Sequence, residues 1–195
     1  MNPVHPLREA ATRASLLGLC VALVVSCGSS IPRRDPLGET FPSVQGESLE
    51  GKAVALPESL TGEPVVLLLG YEQNTQFDLD RWILGLMQLE TPVKLLEIPT
   101  IPGMVPGMIS GQIDDGMRSG IPQEDWAVVV TVYGEDAESI TDWTGTEGGL
   151  NGRIVLLDAD GVAVWFHDRG YSAGHVLALD EAVRSLAAPD VEDTP

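Results

Sequence analysis

Basic residues are scarce in this chain. Only two lysines, Lys52 and Lys94, occur in 195 residues, and lysine plus arginine total 11 against 29 acidic residues, a formal net charge of −18. Such a surface repels phosphate backbones and has few of the cations that release counterions, so nucleic acid is not expected as a partner. Cysteine is scarcer still: Cys20 and Cys27 are the whole complement. Both lie near the N-terminus, so the body of the chain has neither a disulfide framework nor a thiol centre. Long apolar runs are missing too. The longest, Ala14 to Val25, spans about a dozen residues, where roughly 20 are needed to cross a bilayer as a helix. Hydrophobic residues nevertheless make up 44% of the chain, enough for a folded core.

The N-terminal residues have the parts of a secretory signal: Arg8 and Arg13 as a positive region, then the apolar stretch. Val24-Val25-Ser26-Cys27-Gly28 resembles the bacterial lipobox, with branched and small residues before the cysteine and glycine after it. The resemblance implies that residues 1–26 are removed and that Cys27 carries acyl chains, each buried CH₂ contributing about 0.8 kcal/mol of anchoring. An ordinary signal peptide and an uncleaved anchor are the alternatives. With Cys20 removed and Cys27 acylated, no free thiol and no disulfide would remain. Residues 27–40 are rich in Gly, Ser, Pro and charge without an apolar period, and read as a solvated tether. Arg33 and Arg34 in it are candidates for contact with anionic headgroups. The domain is expected over residues 41–188, followed by a short acidic tail at 189–195.

Within the domain, Lys52 to Pro57 reads as an edge strand and Pro64 to Tyr71 as a strand buried on both faces. Phe77 to Glu90 places Phe77, Trp82, Ile83, Leu86 and Leu89 at helical spacing, capped by Asn74 or Thr75. Val93 to Ile98 is a second strand, and Ile101 to Gly120, rich in Gly, Pro and Met, a loop followed by a weak helix. Ala127 to Tyr133 is a buried strand. Arg153 to Asp158 and Val162 to His167 flank a hairpin turn at Asp158-Ala159-Asp160-Gly161. Ser172 caps a last helix with Val176, Leu179, Val183 and Leu186 on one stripe. Trp126, Trp143 and Trp165 are expected in or beside the core.

This order gives an α/β fold, and it resembles the thioredoxin-like layout of a mixed sheet flanked by helices. Val155 to Val164 is similar to the late hairpin of periplasmic thioredoxin-like proteins. Phe41-Pro42, Gly46, Ser48-Leu49, Gly51-Lys52, Val54, Leu56-Pro57, Gly62 and Trp82 resemble the opening of the mitochondrial ATP synthase assembly-factor family, a thioredoxin-like group. The redox apparatus of the superfamily is missing. Where a Cys-x-x-Cys would open the first helix stand Tyr71-Glu72-Gln73-Asn74-Thr75-Gln76, and no proline occurs at Asn151-Gly152-Arg153, where a cis-proline is expected. The chain is therefore not expected to be a thiol–disulfide oxidoreductase.

Two clusters are candidates for function. The helix start after Tyr71 offers unpaired N–H groups beside residues 151–153, so Tyr71, Glu72, Gln73, Asn74, Gln76 and Gly152 either form a polypeptide-binding groove or merely cap the helix. His167, Asp168, Arg169 and Tyr171 form the densest polar-aromatic cluster and either bind, catalyse or pin the hairpin. His167 and His175, eight apart, are no metal signature. Asp158 and Asp160 lack the remaining ligands of a calcium loop. Met104, Met108 and Met117 provide either an adaptable contact surface or core filling. The leading expectation is a membrane-tethered, non-redox binding or assembly protein of the cell envelope, exported across the inner membrane, with a protein partner and no cofactor. An enzyme centred on His167, Asp168 and Arg169, and a purely structural envelope lipoprotein, are the alternatives.

Overall fold

The computed structural model describes residues 30–187; the expected signal segment, Cys27 and the acidic tail lie outside the described residues. Seven strands and four helices follow one another as β1 (Val44–Ser48), β2 (Ala53–Leu56), β3 (Val65–Gly70), α1 (Gln76–Gln88), β4 (Lys94–Ile101), α2 (Gly107–Gly120), β5 (Val130–Tyr133), α3 (Gly134–Thr144), β6 (Arg153–Leu157), β7 (Ala163–His167) and α4 (Ala173–Ala187). They form one sheet in the order β2-β1-β5-β4-β3-β6-β7. Strands β3, β4 and β5 run parallel, while the β1–β2 and β6–β7 hairpins add antiparallel edges.

Strand β3 shows why the sheet holds. It pairs with β4 on one side and β6 on the other, so its apolar run is buried on both faces. Because side chains alternate, Val65, Leu67 and Leu69 face a core with Phe41, Ile140 and Trp143, while Val66 and Leu68 face a second core with Trp82, Leu86 and Leu179. Each such side chain contributes about 2 kcal/mol by leaving water, and both faces of the sheet are thereby covered, by α3 on one and by α1 and α4 on the other.

Two elements, β1 and α3, are absent from the expectations drawn from local pattern. Strand β1 reads Val-Gln-Gly-Glu-Ser, with only its ends buried, and exists because it bridges β2 and β5. Helix α3 is polar in composition, yet Ala137, Ile140, Thr141 and Thr144 fall at helical spacing and are buried with Trp143; the small and hydroxylated residues hide the stripe. The strand expected from Ala127 begins only at Val130, since residues 123–128 form a 3₁₀ turn in which the Trp126 indole N–H donates to the Ile121 carbonyl at 3.0 Å. Phe77 and Leu186, expected on the inner stripes of their helices, are exposed. The inward face of α1 is set instead by Asp78, Leu79, Trp82, Gly85 and Leu86. Helix α2 buries no residue. It is held by Tyr133, whose hydroxyl donates to Asp114 at 2.8 Å, and by Arg118, which donates to the Leu49 carbonyl at 2.8 Å. Met104 and Met108 stand in solvent. The Asp158–Gly161 segment is the expected turn, with the Asp158 carboxylate accepting the N–H groups of Asp160 and Val162.

The segment expected as a free tether is docked over its described part. Ile31 to Phe41 runs along the domain, donating from the Arg34 N–H to the Thr144 carbonyl, from Gly38 to Ala163 and from Phe41 to Gly161. Its residues form a strap because the loop after α3 and the start of β7 present backbone groups that it satisfies.

Candidate functional site

The carboxyl ends of β3 and β4 open beside α3, at the place where parallel sheets commonly bind ligands. A depression of about 530 Å³ lies there, lined by Tyr71, Glu72, Pro102, Glu138, Asp142 and, from the strap, Ile31. Tyr71 forms its inner wall rather than a free contact. Its hydroxyl bonds to Thr144 Oγ1 and to the Ile140 carbonyl, and burial pushes its pKa up to about 12. Gln73 to Thr75 make a 3₁₀ turn. The side chains of Glu72, Gln73 and Asn74 are exposed on it. Gln76 turns away, donating to Asp80 at 2.9 Å and Glu97 at 3.4 Å.

The floor is organised by Arg153, which sequence reasoning passed over. This guanidinium is fully buried and makes no carboxylate pair among the described residues. It donates to the carbonyls of Gly145, Glu147, Gly148 and Asn151 at 2.8–3.2 Å and lies 4.8 Å from the centre of the Tyr71 ring. Burial lowers its pKa, while the nearby Tyr71 phenol, when ionised, and the Asp168 carboxylate oppose that shift. Four carbonyls converging on one rigid fork fix the path of the 145–151 loop. The only sequence signal is an arginine at the head of a strand otherwise wholly apolar.

Gly152 is likewise structural. It is buried, its N–H donates to Asp78 Oδ2 at 2.9 Å, and a Cβ there would collide with Leu79. The other oxygen of Asp78 accepts the Tyr171 N–H at 2.8 Å. One carboxylate near the start of α1 thus ties down the Gly152 loop, expected beside the groove, and the Tyr171 loop of the polar-aromatic cluster.

The polar-aromatic cluster does not assemble into one cleft. Alternation along β7 sends Trp165 and His167 to the α1 and α4 side, while Phe166 faces the core beneath α3. His167 packs on Trp82 with ring centres 5.5 Å apart and stacks on His175 at 3.9 Å, and its Nε2–H donates to the Gly170 carbonyl at 2.9 Å. Burial lowers the His167 pKa, and the His175 charge adds to that. Tyr171 meets the edge of Trp82 at 5.9 Å. Asp168 turns to the strap and pairs with Arg33 at 3.1 Å. Arg169 points into solvent, 4.0 Å from Asp168. The triad His167, Asp168, Arg169 therefore shares no reacting centre, because its side chains go to three places: the rings of Trp82 and His175, the strap, and solvent. Arg33 and Arg34, candidates for headgroup contact in a segment read as a solvated tether, are engaged within the chain, Arg33 with Asp168 at 3.1 Å and Arg34 with both oxygens of Glu39 at 2.8 Å.

The donors present do not suit a soft metal. The Tyr71–Gln76 turn carries neither thiol nor imidazole. Among the described residues no group of three or more His, Cys, Asp or Glu side chains is placed to hold a metal ion. No helix among them is long and apolar enough to cross a membrane.

No family model matches the chain, and no curated protein does. Solved structures do. The chain is similar to yeast Sco1 with copper bound, at 16% identity and a TM-score of 0.56, covering 83% of this chain and 99% of that one. A putative protein disulfide isomerase from Bacteroides thetaiotaomicron shares 15% identity, with a TM-score of 0.54 over 80% of this chain and 93% of that one. BsSco, a member of the Sco family of cytochrome c oxidase assembly proteins, shares 13% identity, with a TM-score of 0.53 over 79% and 98%. At such identities the likeness shows the fold alone, and that fold is the thioredoxin-like α/β sheet.

Proposed function

We propose that this protein is a membrane-tethered, non-redox binding protein of the cell envelope that holds a protein partner in the depression between the Tyr71–Gln76 turn and α3, in the service of assembling a membrane complex. The observation that carries the reading is the composition of this depression. A thioredoxin-like groove survives with the aromatic wall of Tyr71, the apolar Ile31 and Pro102, and a rim of three carboxylates, Glu72, Glu138 and Asp142, while the domain has no cysteine with which to do redox chemistry. Apolar wall and acidic rim together suit a polypeptide segment with basic residues beside an aliphatic one. The lipobox-like Cys27 supports the tether. The resemblance of the opening residues to ATP synthase assembly factors supports the assembly role, as does the fold shared with BsSco. Copper, bound by yeast Sco1, is not carried over, because the turn has neither thiol nor imidazole.

The test is charge reversal on the rim. Glu138→Lys with Asp142→Lys, both on the exposed side of α3, is expected to lower partner recovery in cells about tenfold, the equivalent of roughly 1.4 kcal/mol. The same reversal at Glu90 and Glu181, away from the depression, controls for net charge. Equal recovery from both double variants, with unchanged unfolding midpoints, removes the groove as the binding site.

A further inference from the structure

The strap is built into the domain, and its docking has a consequence for how the depression meets its surroundings. Its N-terminal end pairs with the loop after α3. The N–H groups of Thr146 and Glu147 donate to the Ile31 carbonyl at 2.9 Å, and the Ile31 N–H donates to Thr146 Oγ1 at 2.8 Å. Side chains reinforce the backbone. Arg33 pairs with Asp168, whose carboxylate is only 9% exposed, so undocking would leave a buried charge without its partner. The loop is shaped to receive this segment: a Cβ at Gly145 would collide with the Pro32 carbonyl, and one at Gly148 would lie 2.6 Å from Arg33 Nη2. Ser30 and Ile31 themselves line the depression.

We infer that the docked strap acts as a short leash that turns the depression toward the lipid surface, so that its partner presents a juxtamembrane segment. The inference rests on the reading of Cys27 as the lipid-bearing residue. Three peptide steps separate Cys27 from Ser30, and even a fully extended chain covers only about 11 Å in three steps. A free tether of residues 28–40 would instead behave as a coil with an end-to-end distance of roughly 20 Å and would leave the domain free to tumble. Docking removes that freedom. The opposite end of the sheet, where Glu63 precedes β3, lies farther away by the length of the strand, about 20 Å at 3.3 Å per residue. The rim bearing Glu138 therefore stays close to the bilayer while Glu63 points away from it.

The test uses the lipidated full chain, purified from membranes and placed in phosphatidylcholine vesicles carrying an acceptor dye on a fraction of the headgroups. With Cys27 acylated, a single introduced cysteine takes a single donor dye. Glu138→Cys is expected to show several-fold greater energy transfer than Glu63→Cys. A flexible Gly/Ser spacer of about twenty residues between Ser29 and Ser30, long enough to add roughly 25 Å of reach without touching the folded domain, is expected to bring the two signals together. Equal transfer from the two sites without the spacer, in protein whose N-terminal peptide has the mass of an acylated cysteine, overturns the inference and leaves the tether standing. An unacylated N-terminal peptide, with no vesicle binding, overturns the tether and the inference with it.

Discussion

At the scale of single residues, the decisive groups are ionisable side chains in places that burial dominates. Arg153 has no acidic partner and is held instead by four carbonyls and the Tyr71 ring, so its role is to set a loop rather than to bind a ligand. His167 packs against Trp82, Trp165 and His175, and burial holds its pKa below the ordinary 6.5. The unfolded chain therefore takes up a proton at this site before the folded one does. The stability this residue contributes is fully present above that ordinary value and is lost as the pH falls through it toward the folded pKa. Urea midpoints measured between about pH 8 and pH 5 should fall toward the acid end, and His167→Gln should flatten the fall. An equal slope in the variant would mean that other groups carry it.

At the scale of elements, the loop after α3 and the strap are made for each other. Gly145 sits at φ 76° and ψ 161°, a region that only glycine occupies without cost. Alanine there is expected to cost about 1–3 kcal/mol from the backbone alone, and its methyl group would meet the Pro32 carbonyl. Gly145→Ala is therefore predicted to release residues 31–34. Trypsin cleavage after Arg33 and Arg34 should then be markedly faster than in the native protein, while the β3 amides keep their protection against hydrogen exchange. Arg33→Ala, which removes one anchor and leaves the loop intact, should give a smaller acceleration at Arg34. Cleavage at the native rate in both variants would show that the strap is not held by these contacts.

At the scale of the whole molecule, the proposed anchor at Cys27 is separable from the fold. The domain closes two apolar cores without a disulfide, and Cys27 lies outside the residues that build them. Cys27→Ala is predicted to move the protein from the membrane to the soluble fraction with its unfolding midpoint unchanged, and reductant should shift neither form. Retention in the membrane would require another attachment. The acidic balance of the chain, 29 acidic against 11 basic residues, favours the solubility of such a released domain.

Much of this protein is legible in its sequence alone. Continuous apolar runs mark β3 and β6, because a strand covered on both faces needs no alternation. The Asp-Gly turn marks the β6–β7 hairpin, and the missing cysteines argue against thiol redox chemistry in the domain. Strand β1 and helix α3 are not legible, the first because it owes its existence to two partner strands, one of them distant in sequence, the second because threonine and alanine can fill an inner stripe without looking apolar. The site is only half legible. Sequence proximity puts His167, Asp168 and Arg169 together, and the chain leaving β7 after His167 parts them, Asp168 toward the strap and Arg169 into solvent. The acidic rim of α3, the carbonyl cradle of Arg153 and the docking of a segment that reads as linker all depend on how loops fold back and on contacts between residues as many as 115 positions apart. Local composition fixes what a residue can do, but only long-range packing decides which face it occupies and what stands opposite it.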